Sequence, residues 1–154
     1  MKTSKMINIS RRDAISLILG TAGYFMSSKI AFAGKEQVLK RIDEITKGKG
    51  AKELDMFLDL PEIAENGNQV KVNFEIESEM TNSNYIKNVY ILADGNPAPD
   101  VAKFSFTPDM GICSATTRIR LSKTQNVFLI AENSKKEFFM TNSKVKVTIG
   151  GCGG

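Results

Sequence analysis

The sequence contains no histidine and no tryptophan, and only two cysteines and four prolines among 154 residues. Without an imidazole, a His-containing catalytic triad, an HExxH zinc site and a 2-His-1-carboxylate iron site are all excluded. Without tryptophan, the Cys-Trp-Cys core of antibody domains cannot be built. Few prolines, twelve glycines, 42% hydrophobic and 25% charged residues exclude wholesale disorder and a fibrous repeat. Two cysteines allow at most one disulfide within the chain. The length is room for one ordinary domain.

What is present first suggests a basic protein. Lysine and arginine total 21 against 17 acidic residues, a net charge of +4 and a pI near 9.1. Taken whole, that invites a nucleic-acid or membrane-surface partner. The excess lies entirely in residues 1–33, where Lys2, Lys5, Arg11, Arg12 and Lys29 face only Asp13. The other 121 residues carry 16 basic and 16 acidic side chains and are neutral overall, so no nucleic-acid partner is expected.

Residues 1–33 read as an export signal, with a basic start, an apolar stretch from Ala14 to Met26, and Ala31-Phe32-Ala33 as a small-x-small cleavage site before Gly34. The apolar stretch is too short for a permanent anchor, so none is expected after cleavage. Ser10-Arg11-Arg12-Asp13 is similar to the twin-arginine signal that directs folded proteins across the bacterial inner membrane, with Ala14 standing where a large apolar residue is usual. Export would place the mature chain in the periplasm, an oxidising compartment without ATP.

From Gly34, Val38, Leu39, Ile42 and Ile45 recur with helical spacing, with Lys40, Arg41, Asp43 and Glu44 opposite, and Gly48-Lys49-Gly50 ends the segment. The period then changes. Met56 to Leu60 is a short apolar run stopped by Pro61, and Glu65-Asn66-Gly67-Asn68 is a turn. Val70, Val72, Phe74 and Ile76 alternate with polar residues as a half-buried strand. Further strands are expected at Tyr85–Ala93, Val101–Phe106, Cys113–Leu121, Val127–Ala131, Glu137–Met140 and Val145–Ile149. Phe104 and Phe106 should share a face. In the last strand Val145, Val147 and Ile149 should point inward, with Lys144, Lys146 and Thr148 outward. One helix followed by seven or eight short strands predicts a mainly β fold, an immunoglobulin-like antiparallel β-sandwich over residues 34–149.

Residues 150–154 read Gly-Gly-Cys-Gly-Gly. Glycine loses more conformational freedom on ordering than any other residue, so Gly150, Gly151, Gly153 and Gly154 around Cys152 predict a flexible, slim arm. Three extended residues from Ile149 would carry the sulfur about 10 Å outward. An incidental cysteine on a disordered tail and a structural Cys113–Cys152 disulfide are the alternatives. Against the disulfide, Cys113 falls on the predicted core face of its strand, and a staple has no need of glycines on both sides. The terminal Gly153-Gly154 also invites comparison with ubiquitin-like thiocarboxylate carriers. Their ATP-dependent activation does not fit an exported chain, which leaves the cysteine as the sulfur attachment point. With no imidazole nearby and the carboxylate of Gly154 close, nothing in the tail would depress the thiol pKa from its ordinary value. Lys144, Lys146, Arg118 and Arg120 could be drawn into an anion site, but basic residues alternating outward on strands usually form a solvated face.

These residues taken in order resemble the SoxY family of thiosulfate-oxidation sulfur carriers. The resemblance runs through the double-arginine leader, Pro61-Glu62-Ile63-Ala64-Glu65-Asn66-Gly67, Ala93-Asp94-Gly95-Asn96-Pro97, Phe104-Ser105-Phe106-Thr107-Pro108, Thr117-Arg118-Ile119-Arg120-Leu121, Gln125-Asn126-Val127 and Lys146-Val147-Thr148-Ile149 before the Gly-Gly-Cys-Gly-Gly end. It implies a non-catalytic carrier without a cofactor of its own, with Cys152 as the covalent attachment site on the arm formed by Gly150, Gly151, Gly153 and Gly154. It also implies a heterodimer with a small SoxZ-like β-sandwich subunit. The arm would visit a haem-containing conjugating enzyme, a sulfate-releasing hydrolase and, where the organism has one, a sulfane dehydrogenase. The competing reading is an exported immunoglobulin-like binding or assembly module whose two cysteines form a structural disulfide.

Overall fold

The computed structural model describes residues 34–149; the expected export signal at 1–33 and the expected arm, Gly150, Gly151, Cys152, Gly153 and Gly154, lie outside the described residues. Helix α1, Lys35–Thr46, is followed by nine strands: β1 Lys52–Glu53, β2 Phe57–Asp59, β3 Ile63–Ala64, β4 Val70–Ile76, β5 Ile86–Ala93, β6 Asp100–Ser105, β7 Cys113–Ile119, β8 Gln125–Asn133 and β9 Phe138–Val147. A six-stranded sheet has the order β1-β9-β8-β5-β6, with β3 also on β9, and a three-stranded sheet has the order β2-β4-β7.

The expected mainly β sandwich is the architecture found. Its core lies between the sheets, where Val70, Val72, Phe74 and Ile76 of β4 meet Val89, Ile91 and Ala93 of β5 and Val127, Leu129 and Ala131 of β8. Phe104 and Phe106 share the predicted face and set their rings edge-on to Phe74, at centroid distances of 5.3 and 6.3 Å.

Helix α1 adds a third layer. Val38 and Ile42 pack with Leu92, Phe128 and Ile130, which point away from the sandwich core on β5 and β8. That second cover explains why β5 reads as a nearly continuous apolar run, since both of its faces are buried. Leu39, expected on the apolar side of the helix, is 52% exposed, one step around from the Val38–Ile42–Thr46 stripe. Lys47 closes the helix in the left-handed conformation, its N–H reaching the carbonyls of Asp43 and Glu44. Gly48 follows at φ 76, a conformation that glycine adopts without steric cost.

Three expectations are corrected. Glu137–Met140 and Val145–Ile149 are not separate strands. Thr141 to Lys144 continue the pairing with β8, so β9 is one ladder of ten residues. Ile149 lies past its end and is 68% exposed rather than inward. The sandwich is antiparallel except at β9, whose outer edge receives the two-residue strands β1 and β3 in parallel.

Cys113 is a free thiol, 1% exposed. Burial pushes it up to about 12 from an ordinary value near 9. A raised thiol pKa stabilises the fold fully below the unfolded value, and that contribution is lost as pH rises toward the folded value. Stability should therefore fall from about pH 9 upward, by at most roughly 1.4 kcal/mol per pH unit from this group. Urea denaturation of the native chain and of Cys113→Ala at mildly and strongly alkaline pH checks this. The native chain should lose more stability than the variant, and equal losses would contradict it.

Candidate functional site

The last described strand leads toward residues 150–154, so the approach to the expected attachment site Cys152 is defined by what holds β9 at its end. Beyond the β8 ladder, residues 62–67 run along β9 and fasten it residue by residue. Lys146 N–H donates to the Glu62 carbonyl at 2.9 Å and Thr148 N–H to the Ala64 carbonyl at 3.0 Å. The Thr148 hydroxyl donates to the Glu65 carbonyl at 2.9 Å. Gly67 N–H then donates at 2.7 Å to the carbonyl of Ile149, the final described residue. On the other side, Val147 N–H donates to Thr124 Oγ1 at 3.0 Å. The fold thus grips the chain up to Ile149.

The platform beneath this end of β9 is a set of cross-braced loops. The Gly67 carbonyl accepts from Leu121 N–H at 2.8 Å, linking the 62–67 segment to the end of β7. Asp94 accepts from the backbone and side-chain amides of Asn126 at 2.8 and 2.7 Å. Asn96 Nδ2 donates to the Arg120 carbonyl, and the Ser122 hydroxyl donates to the Gly95 carbonyl at 2.6 Å. Gln125 is 4% exposed and satisfied at both ends, accepting from Gly95 N–H at 2.7 Å and donating to Asn96 Oδ1 and the Lys123 carbonyl, each at 3.0 Å. Most of the short motifs singled out in the sequence therefore converge on one end of the sandwich, the end at which Ile149 lies.

Gly95 belongs to this platform because a side chain has no room there. A Cβ would stand 2.8 Å from Gln125 Cβ and 2.9 Å from Gln125 Oε1. Gly95→Ala should therefore push Gln125 off its partners and lower stability by about 1–3 kcal/mol. Denaturant unfolding is the check, and unchanged stability would show that the brace is slack.

The remaining sequence candidates do not gather. Lys144 and Lys146 are exposed on β9, whereas Arg118 is exposed on β7 in the other sheet and Arg120 just beyond it. No metal-binding group of three His, Cys, Asp or Glu residues occurs among the described residues. No described helix is long and apolar enough to cross a membrane. Cys113 sits at the far end of β7, about 20 Å of strand from Ile119. The alternative Cys113–Cys152 disulfide involves a residue outside the described ones; of the pair, Cys113 is described, as a buried thiol. Sequence patterning missed β3 and Thr124 as holders of the end of β9. The Pro61–Gly67 motif marked the segment that contains β3 but gave no sign of its pairing with β9.

Residues 42–152 match the family described as sulfur oxidation protein SoxY, a span that runs through Cys152. The solved structure of the sulfur carrier protein SoxY from Chlorobium limicola f thiosulfatophilum is 25% identical, with a TM-score of 0.62 over 73% of this chain and 92% of that one. A superoxide reductase (neelaredoxin) from Ignicoccus hospitalis, 14% identical, has a TM-score of 0.54 over 60% of this chain and 79% of its own, a likeness of fold alone. No curated protein matches. With the family span covering most of the chain and reaching Cys152, the protein belongs to the SoxY family of sulfur oxidation proteins.

Proposed function

We propose that the chain is a periplasmic carrier that holds thiosulfate-derived sulfur covalently on Cys152 and presents it to other proteins' active sites. The observation that carries this reading is the family match through Cys152 on a strand fastened up to Ile149. A firm root with glycines beyond it confines motion to the segment that bears the thiol. Residues 1–33 act as the twin-arginine-type export signal, 34–149 as the sandwich domain, and 150–154 as the swinging arm. A SoxZ-like β-sandwich subunit completes a heterodimer, and no cofactor is bound by this chain.

The chemistry balances without a catalyst here. A haem enzyme withdraws two electrons as the Cys152 thiol loses its proton and bonds to the sulfane sulfur of thiosulfate, giving a cysteine S-thiosulfonate. Water attacks the terminal sulfonate sulfur in a hydrolase, releasing sulfate and a proton and leaving a persulfide on Cys152. A sulfane dehydrogenase, where present, oxidises that sulfur further. Each partner supplies the activation, which suits a thiol whose own surroundings do nothing to ionise it. Incubation with thiosulfate and the conjugating enzyme should add a thiosulfonate mass to the C-terminal peptide. A peptide that stays unmodified while the enzyme is active on another carrier would refute the assignment.

A further inference from the structure

Among the described strands, the edges differ in how they are guarded. β2 is three residues long and soon followed by Pro61, and β1 and β3 are two residues each. β6 carries a register shift opposite Ile91–Leu92 and ties its Asp100 to Arg41 at 2.9 Å. β7 has none of these devices. Its seven residues pair with β4 along one side in unbroken register, from Ile76 opposite Cys113 to Val70 opposite Ile119. Its other side has no strand partner among the described residues. It contains no proline, and Arg118 is its one charged residue. Natural sheets seldom leave so long and flat an edge unprotected unless something pairs with it.

The side chains on this edge are unfinished in the same sense. On β4 the core-facing Val72 and Phe74 are fully buried, yet their direct neighbours Thr117 and Ala115 on β7 are only half-buried, because no further strand covers them. At one end, Ile112 and Met110 are 65% and 55% exposed. At the other, Arg118 stands directly opposite Lys71, and neither takes part in an ion pair among the described residues. Like charges directly across a ladder are destabilising, so this end favours an incoming carboxylate.

We infer that the free edge of β7 takes up an extended segment of a second, different protein, which sets a carboxylate against Arg118 and an apolar side chain against Ile112. The inference rests on the heterodimer reading and names the surface on which the partner subunit docks. Charge selects against a second copy of this chain, whose own β7 would bring another Arg118 and Arg120 to an edge that is already positive. The strand lies on the same sheet as β4 and ends close to Leu121, whose N–H donates to the Gly67 carbonyl while the Gly67 N–H donates to the Ile149 carbonyl, so a partner seated there would flank the end of β9 that leads to Cys152.

Hydrogen exchange and affinity measurements on the purified chain with the small SoxZ-like subunit test this. Amides of residues 113–119 should gain protection in the complex. Arg118→Glu and Ile112→Asp should each weaken binding by about tenfold or more, with Lys103→Glu on the β6 edge as an unaffected control. A complex that protects other strands, or that both variants leave at full affinity, would overturn the docking surface while the heterodimer stands. Absence of any complex would overturn the heterodimer reading and the inference with it. Protection of β7 in the chain alone, rising with its concentration, would assign the edge to a second copy instead.

Discussion

Replacing Cys152 with alanine is expected to abolish covalent sulfur loading altogether, with no residual adduct on the protein after incubation with thiosulfate and the conjugating enzyme. The expectation is absolute because the two thiols of this chain are chemically unequal. Cys113 is 1% exposed inside the sandwich and is held protonated by burial, with its pKa near 12. The attacking species in sulfur chemistry is the thiolate, so Cys113 offers almost none at neutral pH and no access to what it would offer. It also opens β7, about 20 Å of strand from Ile119, whose end of the sandwich also holds Ile149. Cys113→Ser should load normally and lose about 1–3 kcal/mol of stability, since a hydroxyl is placed where a weakly polar thiol was buried. Intact mass spectrometry of both variants, followed by peptide mapping, decides the matter. An adduct that survives Cys152→Ala, or that disappears in folded Cys113→Ser, would remove Cys152 from its assigned role.

The same contrast applies to the alternative of an exported module with a structural disulfide. Thiol labelling of the folded, unreduced chain should modify Cys152 and spare Cys113. A chain in which neither reacts would favour the disulfide.

Which parts could be read from the sequence follows from how each is encoded. Val70–Ile76 was legible to the residue because one face is buried and one is in water, so side-chain chemistry writes a period of two. The helix was legible from its 3.6-residue stripe, although Leu39 falls just off the buried line. β5 was legible as a strand, but the reason for its continuous apolarity, a helix on its outer face, is a tertiary fact. β1 and β3 left no signal, since two residues are too few to show a period and their partners lie some 80 residues away. β9 was split in two because Thr141-Asn142-Ser143-Lys144 carries no apolar alternation.

The site divides in the same way. The Gly-Gly-Cys-Gly-Gly end announced itself by composition. The grip on its root did not, because that grip is built from backbone groups, the carbonyls of Glu62, Ala64 and Glu65 and the N–H of Gly67, which every residue type supplies equally. The motifs that suggested the family were visible as words without a shared place. Pro61 to Gly67, Asp94-Gly95-Asn96 and Gln125-Asn126 become one object only when the fold brings their loops to the same end of the sandwich.

That end depends on the two sheets staying packed, and Phe74 is one of the residues that join them. Its side chain is fully buried on β4 and lies edge-on to Phe104 of β6 and to Phe106 just after it, at interplanar angles of 66° and 82°. Phe74→Ala should lower stability by about 3–5 kcal/mol, combining the lost transfer of the ring, the cavity it leaves and both edge-to-face contacts. Against a total of roughly 5–15 kcal/mol for an ordinary domain, that is a large share and should lower Tm by about 10–20 °C. Calorimetry measures the shift, and a loss below about 1 kcal/mol would mean that the core closes over the gap. Cys113 provides an internal reporter, since it lies on the neighbouring strand of the same sheet and should label faster in proportion to the opened population. At temperatures where the variant is still folded, loading of Cys152 should be unchanged. Sheet packing fixes the end of β9 that leads to Cys152, whereas in the proposed carrier role the chemistry of the thiol is supplied by the proteins that receive it.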